Sequence, residues 1–232
     1  MSRATELLEK VRTRGYWRVL IRPRPYDKHR LDDINALLPT LEQARVVLRG
    51  WDYPHINTED VSVHLDFIEQ CTEWEHHLEV FRFYQSGQFV HYAGFPEDWR
   101  DQSGWWPADE RWASGTRLGI GATIYRFTEV FEFAARLAST SAGDEAMTVI
   151  LETHGIAGRQ FYVDNPRRLD TGYDRRPDID AFPFRVDVNR TDLLARSREY
   201  ALRGVIDLFK RCHTRLSDGI LKEWQDEVGR ER

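Results

Sequence analysis

The sequence predicts an α+β fold, an antiparallel sheet built from at least two hairpins and packed against two long helices. Three observations predict it. Residues 78–93 and 146–163 each read as two strand-like runs joined by a short glycine-bearing turn. Residues 118–138 and 190–212 repeat apolar side chains at helical spacing. Hairpins dominate, without the strict strand–helix alternation of a parallel sheet. With no internal repeat in its 232 residues, the chain reads as one domain, 1–232.

"TELLEKVRTR" reads as a short helix, capped by Ser2 or Thr5 and stopped at Gly15. "YWRVLIRP" alternates Trp17, Val19 and Ile21 with Arg18, Leu20 and Arg22, which is a strand pattern ended by Pro23 and Pro25. "LDDINALLPTLEQARVVL" is helical in spacing, kinked or restarted at Pro39, and "RGWDYPHI" is a turn-rich connection. Leu78–Tyr84 and Gln88–Ala93 form a hairpin if Ser86 and Gly87 make a type I′ turn, which needs positive φ at both positions. That register sets Arg82 directly across from His91, with Leu78, Val80, Tyr84 and Phe89 on the same face. Glu79, Phe81 and Phe83 then share the other face with Val90 and Tyr92.

Residues 98–115 read as a loop with four tryptophans among carboxylates. The next helix carries its stripe at Ile120, Ile124, Phe127, Phe131, Ala134 and Ala138, widened by Val130, Phe133 and Leu137, so it is expected to be largely buried. "AMTVILETHGIAGRQFYV" is the second hairpin by pattern, 164–182 an exposed loop, and "FPFRVDV" another strand. "TDLLARSREYALRGVIDLFKRC" is a long amphipathic helix capped by Asn189 or Thr191, and a short helix closes the chain.

Composition excludes several classes. Eight tryptophans, nine tyrosines and twelve phenylalanines give enough surface to bury that a disordered chain is not expected. No run approaches the ~18–20 apolar residues of a membrane span. The first fifteen residues lack the apolar segment of a secretory signal. Cys71 and Cys212 are two isolated thiols, which specify neither a disulfide framework nor a cysteine zinc site. A cytoplasmic location and no membrane contact are therefore expected. Residues 1–50 carry eleven Lys/Arg against six Asp/Glu, whereas residues 51–155 carry six against eighteen. The basic N-terminal part either pairs with the acidic middle or faces a phosphate-bearing partner.

The chemistry-bearing residues fall into small groups. Glu73, His76 and His77 have an E-x-x-H spacing that on a helix offers two metal ligands, but a di-iron site needs two such motifs and no H-E-x-x-H occurs. No metal site is expected, and no cofactor is specified. Arg82 and His91 on an apolar strand face need a partner, either a carboxylate of the acidic middle or an anionic ligand. Glu152 and His154 share a strand face, and the "GIAG" turn brings Arg159 near them. Such a trio suits acid–base work with an anion clamp, or a polar cluster that holds a turn. Gly119 and Gly121 lack the third glycine and preceding strand of a dinucleotide fingerprint. Asp66 and Glu79 suggest a nuclease pair, but Arg82 stands where the lysine would be sought. "RTRGYWRVLIRPRPYDKHR" interleaves seven basic residues with aromatics, a footprint of phosphate contact and base stacking, or of a protected edge strand. A pI near 5.9 argues against a dedicated DNA binder. The tryptophan-rich loop suits a lid over a ligand or an anchor for a protein partner.

"RGWDYPH" (49–55), "FRFYQSGQFVHYAG" (81–94), "DWR" (98–100) and "TEVFEFAARLA" (128–138) resemble an uncharacterised bacterial family with this order of motifs. Some of its members are described as DNA-binding or are joined to a Schlafen-type AlbA domain. The resemblance implies a bacterial, intracellular accessory or sensor role and transfers no catalytic residue. The glycine-rich elements and lysine of the AlbA module are not evident here, so nucleotide binding of that kind would belong to a neighbouring domain or partner.

The expectation is thus a non-enzymatic ligand-binding, sensor or interaction module. Its ligand is anionic, a small molecule, nucleotide or nucleic acid, and it acts with a protein partner or a second copy of itself. The candidate site residues are Trp51, His55, Arg82, His91, Glu152, His154 and Arg159. The alternative is a metal-dependent hydrolase or nuclease using Glu152 with His154, or Asp66 with Glu79.

Overall fold

The computed structural model describes residues 2–48, 50–100, 113–165, 168, 176–213 and 216–228. In chain order the first half contains α1 (Arg3–Arg12), β1 (Tyr16–Arg24), α2 (Leu37–Ala44), β2 (Val46–Val47), β3 (Asp52–Tyr53), β4 (Ser62–Val63), β5 (Phe67–Trp74), β6 (His77–Tyr84) and β7 (Phe89–Gly94). The second contains β8 (Arg117–Gly119), α3 (Ile120–Ala138), β9 (Ala146–His154), β10 (Gln160–Tyr162), β11 (Ala181–Asn189), α4 (Arg190–Arg211) and α5 (Asp218–Val228). Seven strands form one sheet in the order β11–β9–β1–β7–β6–β5–β4, every neighbouring pair antiparallel. The fold is α+β as expected. Among the described residues no helix is long and apolar enough to cross a membrane.

Alternation decides which face each strand buries. Trp17, Val19 and Ile21 of β1 lie level with Ala93, His91 and Phe89 of β7, and with Thr153, Leu151 and Val149 of β9. All nine are buried on the inner face, which α3 covers with Phe127, Val130, Phe131 and Ala134. α4 packs along α3 and touches β11, so both long helices stand over the sheet. The outer face is covered in part by α1, whose Ala4, Leu7 and Val11 meet Cys71, Leu78, Val80 and Trp99. Caps form where short polar side chains precede a helix. Ser2 Oγ accepts from Thr5 N at 3.3 Å, and Asn189 Oδ1 accepts from Asp192 N at 2.8 Å. Pro39 restarts the helix, standing in the first turn of α2 where its missing N–H costs nothing.

Two expectations about the hairpins fail, the first for a local reason and the second for a distant one. The β6–β7 loop has three residues, Gln85–Gly87, because only Gly87 takes a positive φ, at +77°. Gly87 N donates to Tyr84 O, and Tyr84 N to Gln88 O, a type I turn closed by a left-handed glycine. The extra residue slips the register by one: Phe81, not Arg82, faces His91, and Arg82 faces Val90. Arg82 and His91 therefore lie on opposite faces of the sheet. Replacing Gly87 with alanine should cost about 1–3 kcal/mol in urea unfolding, the usual penalty of a left-handed non-glycine residue. A Cβ there would also sit 2.3 Å from Ala142 O.

The second hairpin does not form. β9 is flanked by β1 and β11 along its whole length, and these nine-residue ladders leave no edge for β10. Gly155 and Gly158, both with positive φ, turn the chain away. β10 then runs parallel to β8, so a short strand does precede Gly119. The sheet keeps at least two hairpins, β5–β6 and β6–β7. Glu73, His76 and His77 belong to the first of these, so their spacing is not helical. Trp105, Trp106 and Trp112, with residues 166–167 and 169–175 of the 164–182 loop, lie outside the described residues.

Candidate functional site

The seven candidate residues occupy three places. His154 and Arg159 line one open cleft of about 460 Å³ beside the α1–β1 turn, with Arg12, Arg14, Tyr16 and Asp180. Its inner wall is an ion pair that ties distant segments together. Arg159 Nη1 donates to Asp98 Oδ1 at 2.7 Å and Nη2 to Oδ2 at 2.5 Å, a fork-to-fork contact with both side chains at most 2% exposed. Asp98 also accepts from Gly15 N and Gly115 N at 2.8 Å each, and Arg159 Nη1 donates to Arg117 O at 3.1 Å. Gly15 permits the approach, since a Cβ there would lie 2.3 Å from the Phe95 ring and 2.4 Å from Arg159 Nη2. The guanidinium also stands 5.0 Å over Phe95.

At the cleft mouth the His154 ring stacks on Tyr16, centroids 4.6 Å apart and 8° from parallel. His154 Nε2 lies 3.1 Å from Glu152 Oε2, which also accepts from Arg18 Nη1 at 2.9 Å. Arg18 Nε donates to Tyr92 Oη at 3.1 Å. Burial alone would raise the Glu152 carboxyl, but the bonds from Arg18 and His154 hold it below the ordinary carboxylate value. Glu152 is therefore an ionised acceptor at neutral pH, placed to orient His154.

Trp51, His55 and His91 gather on the inner side, around Glu79. Glu79 Oε1 accepts from Trp51 Nε1 at 3.2 Å, and Oε2 lies 2.8 Å from His91 Nε2. Burial works against the Glu79 charge. The His91 bond, the positive charge of Arg126 and the Trp51 bond outweigh it and hold the carboxyl at about 2. Burial lowers the His91 imidazole in spite of Glu79, so the ring is neutral, with Nε2–H donating and Nδ1 unpartnered. Tyr53 packs edge-on against His91 at 5.3 Å. Trp51 stacks on His55 at 4.1 Å and on His77 at 4.3 Å, while His55 Nδ1 meets Asp52 Oδ1 at 2.6 Å. This network pins the 51–55 segment onto the sheet.

Arg82 is in the third place, on the outer face. Its Nε donates to Glu69 Oε2 at 2.5 Å, directly across the β5–β6 ladder. Its partner is thus a carboxylate of the acidic middle. Asp66 and Glu79 do not meet. Glu79 pairs with Thr72 while Asp66 precedes Phe67, and that offset along the strand is roughly 20 Å. Among the described residues no group of three or more His, Cys, Asp or Glu is arranged to hold a metal ion.

Reasoning from sequence brought His154 and Arg159 to one place, though it expected a hairpin to do it. It missed Asp98, which lies 61 residues before Arg159 and carries no spacing signal. The need of a buried arginine for a carboxylate was the available clue. Arg12 and Arg14 were visible only as members of a basic strip. No protein-family model matches the chain, and comparisons with curated proteins and with solved structures give no significant match.

Proposed function

We propose that this chain is a non-enzymatic binding module that takes an anionic small molecule in the cleft beside the α1–β1 turn. The observation that carries the reading is the lining itself: among the described residues, Arg12, Arg14, Arg159 and His154 stand against the one carboxylate of Asp180. Asp98 answers the charge of Arg159, and Arg14 donates to Asp98 O and lies over the Trp99 ring, so Arg12, with His154 at the mouth, is the group offered to a ligand. The resemblance noted in the sequence supports an accessory or sensor role in a larger bacterial assembly, with a protein partner or a second copy of the chain.

The test is calorimetric titration with ATP, pyrophosphate and a short single-stranded oligonucleotide, each at low and high salt. ATP is expected to bind, more weakly at high salt, and Arg12→Glu should reduce its affinity by roughly tenfold. Tighter binding of the oligonucleotide than of ATP would shift the reading to nucleic acid. Failure of all three at low salt would overturn it. The Glu152–His154 contact is what remains of the hydrolase alternative. Turnover of generic phosphoester substrates in the presence of metal, abolished by Glu152→Gln, would establish that alternative instead.

A further inference from the structure

The two edges of the large sheet are protected unequally. β4, at one end, is two residues long, the kind of short edge strand that resists pairing. β11, at the other, is nine residues long and is hydrogen-bonded along one side, to β9. Its register fixes which backbone groups stay open. Arg190 N donates to Glu145 O at 2.8 Å, in step with the β9–β11 pairs. In an antiparallel ladder such a bond marks residues whose N–H and C=O face each other, and the direction alternates along the strand. Phe182, Phe184, Val186 and Val188 therefore turn their backbone groups toward β9, whereas Ala181, Pro183, Arg185 and Asp187 turn theirs away. Pro183 agrees with this assignment, having no N–H to give β9. Among the described residues no strand lies beyond them.

The apolar side chains of β11 are already buried, Phe184 against Phe127 and Phe131 of α3. What the edge offers is backbone and charge. Arg185 Nε donates to Asp187 Oδ2 at 2.9 Å and Nη2 to Oδ1 at 3.2 Å, with both side chains open to solvent. Charged residues on an edge usually repel a visiting strand. Here the two charges are opposite and flank Val186, which makes the strand complementary to itself. When a second β11 runs antiparallel with Val186 opposite Val186, Arg185 stands opposite Asp187 of the second copy, and Asp187 opposite its Arg185. Each such pair exchanges two backbone hydrogen bonds, because these are the residues whose N–H and C=O face outward. Shifting the pairing by two residues would instead set Arg185 against Arg185, or Asp187 against Asp187. A shift of one would turn open backbone groups onto groups already bonded to β9.

We propose that β11 is a dimerisation edge, where a second copy of this chain pairs antiparallel about Val186 and joins two seven-stranded sheets into one. The edge shares no residue with the lining of the α1–β1 cleft, so the interface does not depend on the anion reading.

The experiment is sedimentation equilibrium over a concentration series. The wild type is expected to pass from the 27.4 kDa chain to twice that mass. Arg185→Asp sets an acidic side chain against Asp187, and Asp187→Arg sets a basic one against Arg185. Each alone should weaken self-association by roughly tenfold or more. Mixed in equal amounts, the two variants should pair about as well as the wild type, because every cross-strand contact is again between opposite charges. A chain carrying both substitutions should also dimerise, which keeps the test decisive if one single variant folds poorly. A monomer at every concentration would overturn the proposal and leave the edge to a strand of another protein. A dimer indifferent to both reversals would overturn it too, since the copies then meet elsewhere. So would reversals that are rescued neither in the mixture nor in the double variant, because the register about Val186 requires both.

Discussion

Replacing Arg159 with methionine should lower the free energy of unfolding by about 3–5 kcal/mol, the usual cost of breaking a buried ion pair from one side. The substitution keeps much of the side-chain volume over Phe95 but removes both donors from Asp98. Among the described residues, that carboxylate would keep only the N–H groups of Gly15 and Gly115, with its own side chain 1% exposed. Asp98→Asn should be costly for the converse reason, leaving a guanidinium facing a neutral amide. The double variant should lose less than the sum of the two, since neither partner is then a stranded charge. Urea unfolding of the four proteins in a double-mutant cycle measures the coupling. Losses under about 1 kcal/mol for each single variant would mean the pair behaves as a solvated surface bridge. The same clasp shapes the cleft wall, so ATP affinity should fall in Arg159→Met although Arg159 offers the ligand no free charge.

The elements legible in the sequence are those whose signals are local. The alternation of Trp17, Val19 and Ile21 marks β1, and a stripe from Ile120 to Ala138 marks α3, because the face each element buries repeats within a few residues. The cap at Asn189 is equally local. Register and partner choice are not. Ser86-Gly87 reads as a two-residue turn, but one left-handed residue suffices for a three-residue loop, and that single extra position moves Arg82 to the face opposite His91. β9 alternates as well as any hairpin strand does. What keeps it from β10 is the availability of β1 and β11, which lie 122 or more residues before it and 27 or more after it in sequence. The site divides in the same way. His154 was recognisable as a polar residue on a strand face, whereas Asp98 acts across the fold through contacts that leave no spacing to read.

Acid should unfold this protein through Glu79. Its carboxyl is buried yet held at about 2, well below the ordinary value of 4.5. A group depressed in the folded state binds its proton more readily when unfolded, so its contribution is complete above about pH 4.5 and is lost as pH falls toward 2. The depression corresponds to something on the order of 3 kcal/mol. His91 works in the same direction at a higher pH. Burial lowers its folded value, so below the ordinary histidine value near 6.5 the unfolded chain takes up a proton that the folded chain resists. Stability should therefore decline in two stages, first on passing below about pH 6.5 and then more steeply below about 4.5. Glu79→Gln removes the second stage. The variant should be less stable than wild type by roughly 3 kcal/mol at pH 7, and the gap should close as pH approaches 2, where the wild-type carboxyl is protonated too. Urea unfolding at intervals between pH 2 and 8 measures both curves. A gap independent of pH would mean that the Glu79 carboxyl titrates alike in the folded and unfolded chains, so that His91, Arg126 and Trp51 do not hold its charge.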